Sequence, residues 1–231
     1  MRDVIHFGSK QIDFHLEFTD RKSLGISVKP DLTVSVRAPF DTSIEKIKEK
    51  LKNKAPWIIR QQSFFLSFHP KLPARKFISG ETHLYMGRQY RLKIIQGKDE
   101  SVKLKGKFLV VTASEKARTK VLVKNWYLKH AKNKFHSIAE PLIAKFKKYN
   151  VVPSSIILRE MPTRWGSCTP KGKIILNPEL IKAPGGCIKY VIIHELCHLI
   201  HHDHTRKFID LQTKEMPDWE KWKNKLELLL A

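Results

Sequence analysis

The tightest constraint on this chain is a pair of histidines, His194 and His198, set four residues apart in one of its most apolar stretches. Around them stand Ile188, Tyr190, Val191, Ile192, Ile193, Leu196, Leu199 and Ile200. A run apolar on nearly every side predicts a buried helix, preceded by a break at Pro184-Gly185-Gly186. Residues i and i+4 of a helix project from one face, one turn apart, so both imidazoles would enter the same site. Two histidines and Glu195 without partners would be costly in a core. A metal ion removes that cost, and His-Glu-x-x-His is the spacing in which two histidines hold zinc while the glutamate serves as general base. Glu195 is therefore the expected catalytic residue.

The third ligand follows from helix geometry. His201 would lie about 10.5 Å beyond His194 along a continuing helix, too far to share an ion, and His202 points elsewhere. His204 reaches the metal only if the helix ends near residues 201–203 and the chain turns back. Histidine and aspartate tolerate the left-handed conformation expected of such a turn. The spacing HExxH-x5-H equals that of the metzincins, with His201 where their turn glycine stands. His204 is placed ahead of Glu215 as the third ligand, because histidine is the commoner zinc ligand in this arrangement.

Length and charge bound the partners. The chain has 231 residues, room for one large domain or two small ones. It carries 44 basic against 22 acidic residues, a net charge of +22. Such a field attracts nucleic acid or other polyanions, although lysines scattered at helical spacing also make solvated faces. No run approaches the ~18 apolar residues of a membrane span, and the first residues lack the apolar core of a signal peptide. The three cysteines, Cys168, Cys187 and Cys197, form no framework. A cytoplasmic, membrane-free protein without disulfides is expected.

Periodicity predicts an α+β fold. Residues 3–38 alternate as short strands, with Lys29-Pro30-Asp31 as a turn, and residues 42–68 read as a helix that Pro56 kinks or splits. Residues 69–76 read as a linker. Strands resume at 82–85, 90–95, 102–104 and 108–111, with Gly87, Gly97 and Gly106 as hairpin turns. A long helix over 115–149 carries Pro141 as a bend or break. Strands at 156–158, 163–167 and 173–176 precede the metal helix, and helices at 206–215 and 217–230 close the chain. The expected domains are a β-rich 1–112, with its one helical segment, and a catalytic 113–231. No internal repeat is visible.

With these segments in place, the chain resembles the YgjP-like family of metal-dependent hydrolases, relatives of SprT-like, minigluzincin-type zinc metallopeptidases. The resemblance rests on Met161-Pro162-Thr163-Arg164-Trp165-Gly166-Ser167-Cys168, Ile175-Leu176-Asn177-Pro178-Glu179-Leu180, the stretch from Tyr190 to Leu199, and His204 with Phe208. Fainter likeness at Arg21-Lys22-Ser23, Trp57-Ile58, Tyr85 to Leu92 and Trp126-Tyr127 extends it over nearly the whole chain. The resemblance implies one Zn2+ on His194, His198 and His204, Glu195 as acid/base, and a compact zincin-like α/β catalytic domain after a β-rich N-terminal half. Asp203 and Thr205 depart from the family's usual asparagine and serine.

The expected activity is hydrolysis, with Glu195 activating a water on the zinc. The substrate is expected to be a peptide. For some members the family implies instead a nucleotide such as UTP, which would call for Mg2+ as well. A third possibility is a nucleic-acid-binding module with structural zinc. Arg164 and Trp165 are the substrate-side candidates, against a packing role for Trp165, a bulge at Gly166 and a structural ion pair for Arg164. Tyr190 and Met216 fall near the site in the pattern, and Cys197 points away from it.

Overall fold

The structure is a computed structural model that describes residues 2–8, 10–29, 31–66, 75–161 and 164–230, the side chains of 63–66 and 230 excepted. Most of the linker expected at 69–76 lies outside the described residues. The chain divides into two compact units, Met1–Pro73 and Ala74–Leu230. Each has its own core, and the fold is a mixed α+β one.

In the first unit, strands β1 (Arg2–Phe7), β2 (Lys10–Phe18), β3 (Gly25–Val28) and β4 (Val34–Ala38) form a sheet of order β1-β2-β4-β3. Alternation along β2 and β4 turns Ile12, Phe14, Leu16, Val34, Val36 and Ala38 inward. Helix α1 (Ile44–Leu66) meets them with Ile47, Leu51, Ala55 and Ile58, one apolar stripe at helical spacing. Pro56 does not split α1 into two elements. Its ring and Lys52, the residue whose carbonyl loses a donor, are both exposed, so water takes the lost bond. Pro141 is accommodated in α2 in the same way, exposed one turn beyond exposed Ser137.

The second unit opens with β5 (Thr82–Tyr85), β6 (Arg88–Gln96), β7 (Ser101–Lys105) and β8 (Phe108–Ala113), in the order β5-β6-β8-β7. The two sheets share one plan. In each the first two strands pair antiparallel, the second runs parallel to the fourth, and the third lies antiparallel outside the fourth. Each is followed by a long helix. This is a repeat of topology that the sequence does not display. It also corrects Gly97: β6 and β7 do not pair, so Gly97 lies in a loop, whereas Met86-Gly87 and Gly106 make left-handed turns. Helix α2 (Arg118–Phe146) packs Val123, Trp126 and Ala131 into the core that holds Leu92, Leu109, Val111 and Ala113. That shared core is why the units divide at 73/74, where the sequence had suggested 112/113: the second sheet packs with the helices that follow it.

The rest of this unit builds the site. Strands β9 (Ser155–Leu158), β10 (Gly166–Cys168) and β11 (Lys173–Leu176) form a sheet of order β10-β11-β9, with β10 at an edge. Helix α3 (Gly185–Cys197) follows, buried almost all round. Its glycine pair lies inside the first turn rather than before the helix, and a Cβ on Gly186 would stand 2.5 Å from the Trp222 ring. Helices α4 (Arg206–Glu215) and α5 (Trp219–Leu230) close the chain. No helix among the described residues is long and apolar enough to cross a membrane.

Glu215, at the end of α4, ties that helix to the end of α2. Tyr149 Oη donates to its Oε1 at 2.6 Å, and Lys148 and Lys145 sit at 2.8 and 3.0 Å. Burial pushes the Glu215 carboxyl up, but the Lys148, Tyr149 and Lys145 contacts outweigh burial and hold it at about 2, below its ordinary 4.5. A lowered folded value means the carboxylate stabilises the fold fully above pH 4.5 and loses that contribution as pH falls through 2. Glu215→Gln should cost about 2 kcal/mol at neutral pH, less than a fully buried pair because both lysines are half exposed. Urea melts should show the gap between variant and parent closing as the medium is acidified.

Candidate metal centre

Helix α3 delivers His194 and Glu195 in its last turn, and His198 caps its C-terminus. The helix stops at Cys197, earlier than the 201–203 expected. The amides of Leu199 and Ile200 turn back to Leu196 and Cys197 in i→i−3 bonds, and the His201 amide closes onto Cys197 at 2.9 Å. None of residues 198–205 has a positive φ. The turn needs no left-handed residue, which explains how a histidine stands at 201 without strain.

That turn brings His204 back over α3. His204 Nε2 lies 3.1 Å from His194 Nε2, and ligand atoms of His194, His198 and His204 all fall within 4.8 Å of one another. The buried Phe208 ring of α4 lies against all three imidazoles, with centroids 5.0, 4.6 and 4.8 Å away. Glu215 is outside this group, held instead by Tyr149 and the two lysines.

Two hydrogen bonds set the tautomers. The His201 carbonyl can only accept, so His198 Nδ1 donates to it, at 3.1 Å. His194 Nδ1 donates to Gln212 Oε1 at 2.8 Å. In both rings Nε2 is left with its lone pair toward the cluster. Burial lowers the His194 imidazole to about 4, against the raising effect of Gln212, and burial also lowers His198. Both rings are neutral at neutral pH, the form that ligates a metal. The donor set, its spacing and its tautomers thus fit a small N-preferring cation such as Zn2+.

Gln212, only 1% exposed, was missed in the sequence. Its signal is faint: a polar residue on the apolar face of α4, one turn after Phe208. Gln212→Leu should leave the fold intact and weaken zinc about 10- to 100-fold, read by competition with a fluorescent chelator.

Glu195 is 4% exposed and faces a pocket of about 560 Å³. Burial pushes its carboxyl up to about 8, against the pull of the Arg164 charge and the Cys168 amide. A cation among the histidines would favour the carboxylate and lower that value. Gly166 lies against it: a Cβ there would stand 2.5 Å from Glu195 Oε1 and 2.8 Å from its Cγ. The glycine expected to make a bulge is instead a close approach between edge strand and carboxylate.

Arg164 and Trp165 both line this pocket, Arg164 exposed and Trp165 partly buried against the core. No salt bridge holds Arg164 among the described residues, and Asn177 Nδ2 anchors its carbonyl at 3.1 Å. Tyr190 also lines the pocket, stacked on Trp219 at 6.2 Å. Cys168 faces the pocket too, which the sequence did not suggest. Cys197 and Met216 are core residues, and all three cysteines are free.

Among the described residues no strand pairs with the outer edge of β10, beside Glu195, although its Cys168 amide already serves the Glu195 carboxylate. Trp165 O and Thr169 N bond to β11, at Asn177 N and Lys173 O, both 2.9 Å. Alternation then turns the amides and carbonyls of Gly166 and Cys168 away from β11.

Against known protein families, the chain matches the model described as "YgjP-like, metallopeptidase domain" over residues 22–228. No curated protein and no solved structure matches it. The family match covers the first unit from residue 22 onward and nearly all of the second, with all three histidines and the pocket around them, and the chain belongs to the YgjP-like family of metallopeptidase-domain proteins.

Proposed function

We propose that this protein is a zincin-like, zinc-dependent hydrolase of the peptidase type, with one Zn2+ held by His194, His198 and His204 and with Glu195 as the general base. The observation that carries this is the convergence of three imidazoles within 4.8 Å, beside a buried carboxylate that is not a member of the cluster. Three protein ligands leave a coordination position open, as catalytic zinc sites do and structural ones do not. Zinc supplies a Lewis acid that makes water acidic near neutral pH and polarises the attacked oxygen.

The chain's own residues do the rest. His194 and His198 enter neutral and correctly tautomerised, so no proton need be expelled from either ring when the ion binds. Glu195 accepts a proton from the attacking water and returns it to the leaving nitrogen. Gly166 and the Cys168 amide fix where that carboxylate stands. On the outward edge of β10, the Gly166 amide and carbonyl and the Cys168 carbonyl accept an extended peptide by strand addition, and Arg164 offers a charge to the substrate or to a developing oxyanion.

An assay of an unfolded protein and UTP side by side, with Mg2+ supplied and with or without chelator, tests the assignment. Chelator-sensitive cleavage of the polypeptide is expected. Turnover of UTP alone would overturn the peptidase assignment.

A further inference from the structure

Among the described residues, the helices of the second unit share a core with one face of its β5–β8 sheet, and the other face carries exposed side chains. Alternation places Leu92, Leu109 and Val111 on the face that shares a core with α2. On the opposite face, register sets two rows across three strands: Arg91, Phe108 and Lys105, then Lys93, Val110 and Lys103. The four cations are exposed. Phe108 and Val110 are half-buried, yet neither belongs to the core. Lys107 adds its ammonium 5.9 Å from the Phe108 ring.

Among the described residues, none of these four cations has a carboxylate within ion-pair distance. Glu100 is taken by Arg118 and Ser114, and Glu81 by the amides of Lys76 and Phe77. The asymmetry runs through the whole unit: residues 74–231 hold 31 of the 44 basic residues and only 14 of the 22 acidic ones.

We infer that this open face binds single-stranded nucleic acid, with phosphates along the basic rows of β6 and β7 and a base against Phe108 between them. Strands stand about 4.8 Å apart, so the two basic rows flank the aromatic strand within one nucleotide's reach. A ring between cations suits a splayed base joined to phosphate. A duplex hides its bases and leaves the ring unused. The inference rests on residues remote in sequence from the histidines and does not depend on the zinc reading.

Fluorescence anisotropy of the full chain with a labelled oligothymidylate at several salt concentrations tests it. The parent should bind, with affinity falling as salt rises. Reversing Lys103 and Lys105 to Glu should weaken binding at least about tenfold and flatten the log–log salt slope by about 1.4, at ~0.7 per lost phosphate contact. Phe108→Ala should weaken binding about tenfold with the slope unchanged. Phe108→Leu replaces it if circular dichroism shows the alanine variant unfolded. Reversing Lys50 and Lys54 on the exposed side of α1 makes the same change in net charge and should alter affinity less than about twofold. Equal losses in both double variants would reduce the effect to net charge and overturn the inference. So would a parent that does not bind, or a duplex bound as tightly as the single strand.

Discussion

Glu195→Gln should bind zinc as the parent does and hydrolyse its substrate about 10² to 10⁴ times more slowly. The exchange keeps the volume and one oxygen of a side chain that is 4% exposed, so the packing around it survives. It removes the only buried carboxylate lining the pocket among the described residues. An amide cannot accept the proton that the attacking water must lose. It can still take a hydrogen bond from the Cys168 amide, which keeps the edge strand in place. Steady-state rates and metal content, measured on one preparation, separate chemistry from metal loss. A variant as active as the parent would remove Glu195 from the reaction.

Gly166→Ala should be nearly as damaging by a different route, with turnover down about 100-fold. The new methyl would stand within 3.0 Å of three Glu195 side-chain atoms, a distance at which something must move. Glu195 itself is the softer partner, since β10 is fixed to β11 by main-chain bonds. The carboxylate would therefore be displaced, and a shift of about 1 Å at a reacting group can cost two orders of magnitude. The three atoms nearest the new methyl all belong to Glu195 and none to a histidine, so the metal ligands should stay loaded. Loss of rate with full metal content, and a displaced Glu195 in the variant's crystal structure, is the expected result. Unchanged kcat would mean that the position of this carboxylate does not matter to the rate.

The helix of the site was legible because its period and its polarity agree. An apolar run with His, Glu and His at one-turn spacing has few other ways to fold, and α3 forms over that run, although it begins at the glycine pair and stops at Cys197. The three histidines selected by spacing are the ones the fold brings together. Less legible was everything carried by long-range contact. Gln212 and Phe208 act on the histidines from another helix, and nothing local says that α4 docks there. Gly166 reads as a bulge in its own strand. Only the approach of α3 turns it into a steric limit. The turn after His198 was given a left-handed residue it does not need, because a series of tight i→i−3 bonds does the same work. The repeated topology of the two sheets is not legible in the sequence, since strand order is set by which edges meet, not by the residues of one strand. A split at Pro56 or Pro141 is not seen, because sequence does not say which side of a helix faces water.

The central claim is that three imidazoles converge on a single cation while a neighbouring carboxylate remains outside the coordination sphere. Anomalous diffraction at the zinc edge, from crystals of zinc-loaded protein, tests it most directly. The account predicts one peak per chain, about 2.0–2.1 Å from a nitrogen of His194, His198 and His204, with Glu195 unligated. A peak on His201 or His202 instead, a Glu195 oxygen bonded to the metal as its fourth protein ligand, or an empty cluster in the presence of excess zinc would contradict it.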